Sequence, residues 1–201
     1  YGWLKFRANA LNWVLAGLLV FVISIVLSIV VARIGDPPKA TLDFSPLRFI
    51  LNLATTAVSY VLTAVLVRGG LDEASGRKFS FGDALGRVPM VPILIVSLLV
   101  SVGTTVGIIL CILPGLAFMV LTYYAPFFVI NDGLSPIAAI SASIKLVMDN
   151  LGNALLVGLL AILVVVLGAL ACGVGLLVAL PVVTIAGGYC FNQFTNRPIA
   201  A

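Results

Sequence analysis

Apolar residues run along this chain in blocks that only charge interrupts. There are 25 uncharged residues between Arg7 and Arg33, 19 between Arg48 and Arg68, 44 between Arg87 and Asp132, and 47 between Asp149 and Arg197. A helix crosses the hydrocarbon core of a bilayer in about 20 residues, so the intervals divide as one, one, two and two spans. Six transmembrane helices are expected. The apolar runs are continuous rather than alternating with polar residues, which argues against a transmembrane β-barrel. The 19-residue interval is short, but Arg48 and Arg68 can extend their charged heads to the interfaces on flexible stems.

The polar stretches between the blocks carry a second pattern. Ser135-Pro136 reads as a helix start, a serine N-cap with proline at the first helical position. The helix it opens places Ile137, Ile140, Ile144 and Val147 on one face and Ser141, Lys145 and Asp149 on another, so residues 137–148 are expected to lie along the membrane interface, being too short to span it. Phe79-Ser80-Phe81-Gly82-Asp83-Ala84-Leu85 has the same outline: a serine, then a short apolar segment leading into a hairpin. The hairpins turn at Cys111-Ile112-Leu113-Pro114-Gly115 and at Cys172-Gly173-Val174-Gly175. At the start, Tyr1-Gly2-Trp3-Leu4-Lys5-Phe6-Arg7 alternates aromatic and basic residues, which is interfacial chemistry. The apolar run after it is too long for a signal-peptide core, and no small-x-small cleavage site follows. The fold class is therefore all-α: a polytopic membrane protein of six transmembrane helices with cytoplasmic interfacial amphipathic helices. Residues 1–201 form one integral membrane domain, readable as three pseudo-repeats near 1–70, 71–133 and 134–192. The first is the least regular, with a longer connection broken by Asp36-Pro37-Pro38 and no cysteine.

Composition agrees. Hydrophobic residues make up 62% and charged residues 9%, with mean hydropathy +1.27, where soluble domains carry about a quarter charged residues. The net charge of +4 points to topology and anionic lipid heads before nucleic acid. Six spans put Lys5, Arg7, Arg68, Arg77, Lys78, Arg87, Lys145 and Arg197 on one side and Arg33, Lys39 and Arg48 on the other. The positive-inside rule makes the richer side, with both termini, cytoplasmic.

Candidate chemistry is sparse. The chain has no histidine, which removes the commonest general base and metal ligand. Asp72 and Glu73 are adjacent, a spacing ordinary for a solvated connection. No Walker loop, dinucleotide glycine pattern or Cys-x-x-Cys pair occurs. No catalytic, cofactor or metal site is therefore assigned, and the chain is read as not an enzyme. The second span carries an intramembrane polar face of Asn52, Thr55, Thr56, Ser59 and Thr63, suited to interhelical hydrogen bonding, with a hydrophilic path as the sharper alternative. Ser97, Ser101 and Thr105, with Gly103-x-x-x-Gly107, suit close helix packing in the third span, and Pro126 should kink the fourth. Interfacial contacts to lipid or a protein partner are expected from Trp3, Lys5, Phe6, Arg7, Arg77, Lys78, Phe79, Phe81 and Lys145. Cys111 and Cys172 fall near the extracytoplasmic turns. Two small residues filling tight turns is the preferred reading there, a disulfide the other; Cys190 is expected reduced near the cytoplasmic end.

Gly2-Trp3-x-x-Phe6, Leu113-Pro114-Gly115, Ala125-Pro126-Phe127-Phe128 and Leu134-Ser135-Pro136 with Ala139 resemble a widespread family of uncharacterised bacterial six-helix membrane proteins. That family is similar to the membrane domain fused to some glycerophosphodiester phosphodiesterases, and the likeness is strongest to actinobacterial proline- and glycine-rich transmembrane proteins. The resemblance implies a bacterial plasma-membrane location and a disordered cytoplasmic tail upstream of Tyr1. It supplies no catalytic residues. The expected function is that of a non-catalytic accessory or scaffold subunit of a larger membrane assembly, with membrane lipids and other membrane proteins as partners. Lipid handling or small-molecule transport is the alternative.

Overall fold

The computed structural model describes residues 1–34, 46–170 and 175–199. Among them the chain is helical, without a strand, and runs α1 (Gly2–Ala8), α2 (Ala10–Ile34), α3 (Pro46–Ala74), α4 (Phe81–Gly86), α5 (Met90–Leu110), α6 (Ile112–Leu121), α7 (Ala125–Asp132), α8 (Pro136–Asp149), α9 (Leu151–Leu170) and α10 (Leu176–Phe194). Six stretches are long and apolar enough to cross a membrane, the fourth made of α6 and α7 together. The chain is a multi-pass helical membrane protein. A short helix followed by two crossings recurs three times: α1 before α2 and α3, α4 before α5 and α6–α7, α8 before α9 and α10. The Asp36-Pro37-Pro38 connection and Cys172 lie outside the described residues, so a Cys111–Cys172 pair has no structural account. Cys111 is exposed between α5 and α6, and Cys190 is buried.

Close backbone approach sets the packing. A Cβ on Gly188 of α10 would sit 2.5 Å from the Gly70 carbonyl oxygen, and one on Gly70 of α3 would sit 2.5 Å from the Thr184 carbonyl oxygen. Only glycine fits on either side, and the two helices touch main chain to main chain. The α5–α6 hairpin closes in the same way. Gly107 faces Gly115, and Gly103 receives the Phe118 ring, which is the packing use expected of Gly103-x-x-x-Gly107.

Around the α3–α10 contact, Trp13, Val65, Phe79, Phe127, Val129, Ile185 and Phe191 are buried, and Phe191 meets the rings of Phe127 and Phe128 at 5.5 and 5.0 Å. This core lies toward the end of the bundle where α3, α7 and α10 finish. Toward the opposite end Ile109, Leu110, Ile112 and Leu113 are exposed, an arrangement suited to lipid and unsuited to water.

Two elements differ from expectation. First, α3 does not stop at Arg68 but continues through Asp72 and Glu73 to Ala74; the residues read as a solvated connection are helical and buried. Second, α8 is a 14-residue helix whose inward face is centred on Ala139, Ser143 and Val147; of the expected apolar face Val147 is buried and Ile140 and Ile144 half-buried, while Ile137 is exposed. The reason lies in the fourth crossing. Its helix breaks at residues 122–124, two residues before Pro126, which has no N–H to continue the ladder. The Ala125 N–H turns back to the Thr122 carbonyl at 3.0 Å, and the Tyr123 N–H takes the Val120 carbonyl at 3.3 Å. That leaves the Leu121 carbonyl and the Tyr124 N–H. Ser143 serves both, donating to Leu121 O at 2.7 Å and accepting from Tyr124 N at 3.1 Å. Small residues on that face let α8 come close enough.

Ser143→Ala should therefore strand two buried backbone groups and cost about 1–3 kcal/mol, seen as a lower melting temperature in detergent. Ser141→Ala, on the exposed face where the hydroxyl bonds its own helix at Ile137, should change little. Equal melting of the two variants would count against the bridge.

Candidate functional site

The best-defined polar arrangement surrounds the end of α3. Asp72 and Glu73 are consecutive on a helix, so their side chains diverge by about 100° and reach different neighbours. Asp72 is 1% exposed. Arg87, just past α4, grips it bidentately, at 2.6 Å to Oδ2 and 3.1 Å to Oδ1. Arg77 approaches Oδ1 at 3.3 Å, and Arg68, one turn back, at 3.5 Å. Arg68 also donates to the Ile130 carbonyl of α7 at 3.2 Å. One carboxylate thus ties α3 to the 75–87 segment and, through Arg68, to α7.

Glu73 does the equivalent for the N-terminal segment. Its Oε1 accepts from Asn9 Nδ2 at 2.8 Å, from the Phe79 N–H at 3.0 Å and from Trp13 Nε1 at 3.3 Å. Asn9 and Asn12 then donate to the Phe79 carbonyl at 3.1 and 3.3 Å, and the Trp13 ring stacks on Phe79 at 4.3 Å. Tyr1 packs on Tyr189 at 4.4 Å. Its phenol is pushed above the usual tyrosine pKa, first by burial and then by the Glu73 charge.

A second polar group lies where α3, α7 and α10 end. Arg197 pairs with Asp132 at 2.8 Å and lies 5.1 Å over the Phe191 ring. Beside it is a cavity of about 290 Å³ lined by Ser75, Asn131, Asn192, Arg197, Pro198 and Ile199.

Chemically, Asp72 is enclosed by guanidinium groups of its own chain and Glu73 by amide, indole and backbone donors. Both are placed as clamps. Among the described residues, no three His, Cys, Asp or Glu side chains are grouped to hold a metal ion.

The sequence-predicted residues divide. Trp3, Arg7, Arg77, Lys78 and Lys145 are exposed and Lys5 and Phe81 half-buried, with the Lys5 ammonium 5.5 Å over the Tyr1 ring. Phe6 and Phe79 are corrections: both are buried, at 5% and 1% exposure, and cannot meet lipid or a partner. Phe79 is held by Trp13 and by its backbone bonds to Glu73 and Asn9. Of the α3 polar face, Thr55 is half-buried, while Asn52, Thr56, Ser59 and Thr63 are exposed. The four hydroxyls bond carbonyls one turn back on their own helix at 2.8–2.9 Å. In the membrane-spanning part of α3 an interhelical hydroxyl bond comes instead from Tyr60, which meets Ser101 of α5. Reasoning from sequence missed Asn9, Trp13, Arg87 and Ser143. One signal was available: Asn9, Asn12 and Trp13, at i, i+3, i+4, place a polar patch on one face at the start of the first span.

The chain is 28% identical over 151 residues, 75% of its length, to the uncharacterized protein Rv2560 of Mycobacterium tuberculosis, and equally to the uncharacterized protein Mb2590 of Mycobacterium bovis. It spans about half the length of these relatives, the match covering 46% of each. No protein-family model matches it, and no solved structure does.

Glu73→Ala should release the joint between α1 and α2 together with residues 75–80, raising proteolytic cleavage there and lowering the melting temperature. Asp72→Ala should cost about 1–3 kcal/mol, below the 3–5 kcal/mol typical of a fully buried pair, because Arg77 and Arg87 still reach water. Arg77→Ala, the most exposed member, should stay within about 0.5 kcal/mol. An Arg77→Ala effect as large as that of Asp72→Ala would refute this ranking.

Proposed function

We propose that this chain is a non-catalytic component of a bacterial plasma membrane, acting as an accessory or scaffold subunit beside other membrane proteins. The observation that carries this reading is the uncovered polar face of α3. Asn52, Thr56, Ser59 and Thr63 recur at spacings of four, three and four, so they form one stripe, and all four are exposed. The hydroxyls are satisfied within the helix, which makes the stripe cheap to hold next to another helix. An exposed amide such as Asn52, in the first turn of the span, gains from a partner that hydrogen-bonds it, by roughly 0.6 to 2 kcal/mol. The buried carboxylates support the same reading in that their donors tie α3 to its neighbours within the chain.

The charge distribution supports cytoplasmic termini. Tyr1, Ser75, Asp132 and Arg197 belong to one end of the bundle, joined by the contacts of Tyr1 with Glu73, Asn192 with Ser75 and Arg197 with Asp132. That end bears the larger share of the lysines and arginines.

A photocrosslinking residue at Asn52 or Ser59 should capture a discrete membrane protein in native membranes, whereas one at Leu156, on the exposed flank of α9, should capture lipid. Solute flux by the purified chain in liposomes, abolished by Asn52→Ala or Ser59→Ala, would defeat the scaffold reading in favour of transport. A cysteine at Ser75 should react with an impermeant maleimide only after the cells are opened; labelling in intact cells would reverse the topology.

A further inference from the structure

The cavity between the ends of α3, α7 and α10 belongs to neither carboxylate clamp, and its lining has a particular chemistry. Ser75 supplies a hydroxyl, Asn131 and Asn192 amides, and Arg197 a guanidinium, while Pro198 and Ile199 close one side with apolar surface. Asn192 is 3% exposed, yet among the described residues its side-chain amide reaches only Ser75 Oγ, at 3.5 Å, the outer limit of a hydrogen bond. A buried amide so weakly used, facing a void, is a binding group in want of an acceptor. Arg197 is held in place from two sides, by Asp132 and by the Phe191 ring, so its fork is oriented before any ligand arrives.

The field at the site is positive. Ser75 lies in the turn between Asp72 and Arg77, and the three guanidiniums on Asp72, Arg68, Arg77 and Arg87, outnumber the two carboxylates Asp72 and Glu73 by one charge. Asp132 opposes an anion, but it already shares its charge with Arg197 and with the Asn131 amide at 2.9 Å. Guanidinium, amide and hydroxyl donors converging under an excess of positive charge suit a phosphate oxygen. The void is of headgroup size, and it opens where three membrane crossings end, which is the depth at which lipid headgroups sit.

We infer that this cavity binds the phosphate of an anionic phospholipid headgroup, with Arg197, Asn192 and Ser75 as donors and the acyl chains along the apolar flanks of the bundle. This stands whether or not the chain assembles with other proteins, and its test does not require a partner.

The test is native mass spectrometry of the full chain in detergent, titrated with phosphatidylglycerol, with phosphatidylcholine, and with glycerol phosphate as the soluble source of the same group. Phosphatidylglycerol should bind at least about tenfold more tightly than either. Arg197→Gln should weaken it about tenfold. Ser75→Leu, which fills the cavity and leaves the Arg197–Asp132 pair intact, should do the same while the melting temperature holds. Asp132→Asn, which keeps an oxygen acceptor to hold Arg197 and removes the opposing negative charge, should tighten binding. Arg7→Gln, an exposed cation on α1 away from the cavity, should change affinity less than about twofold. An equal loss in Arg7→Gln would reduce the effect to diffuse surface attraction and overturn the site. Saturation by glycerol phosphate at the lipid's affinity would overturn the lipid as its occupant.

Discussion

Two carboxylates at the end of one long helix have to be satisfied out of water, and much of the polar end of the molecule is arranged to do it. An ionised group in such a place is tolerated only when donors surround it. Asp72 draws Arg87 back from beyond α4 and Arg77 across the Gly76 turn. Glu73 draws in Asn9, Trp13 and the backbone of Phe79. These partners come from two stretches far apart in the chain, the α1–α2 joint and residues 77–87, so meeting the electrostatic demand also fixes where that joint and the segment leading through α4 lie.

The apolar core depends on this arrangement and supports it. Phe79 is buried because Trp13 covers it, and Trp13 is in place because its indole donates to Glu73. The glycine contacts of α3 with α10 bring Asn192 against Ser75, which draws the C-terminal turn with Arg197 into the same cluster. In a bilayer, helices gain nothing by hiding apolar surface from lipid that is just as apolar, so close backbone contact and polar bonds have to direct association. That is why order here concentrates at glycine crossings and at the polar end, while the far ends of the crossings remain uncovered.

The bridge made by Ser143 follows the same rule. Pro126 breaks the fourth crossing, and the break exposes a carbonyl and an N–H that lipid cannot serve. A neighbouring helix with small residues on one face brings a hydroxyl to both. What these internal bonds leave uncommitted are the α3 stripe, the exposed cations and the cavity beside Arg197.

What the sequence determined by itself was whatever depends on length and hydropathy. Charge-free runs of known length yield six crossings, because every backbone group in hydrocarbon must be paired within its own helix and about 20 residues are needed to cross. Local signals placed Ser80 and Ser135 at helix starts, where they stand, and Gly103 and Gly107 at a packing face. The tertiary structure alone decided the roles of the polar residues. An acidic pair such as Asp72-Glu73 reads as solvated until the donors that bury it are known, and those come from residues as far away as Asn9 and Arg87. Phe79 and Phe6 look like interfacial anchors because aromatics beside cations usually are, but their burial was set by Trp13 and by the α1–α10 contact. The α8 face turned inward is centred on Ser143 rather than Ile137 because the Leu121 carbonyl, 22 residues earlier in the chain, is left without a helical partner and takes the Ser143 hydroxyl. Hydropathy is a property of each residue and its near neighbours, whereas hydrogen-bond satisfaction is a property of whatever the fold brings alongside.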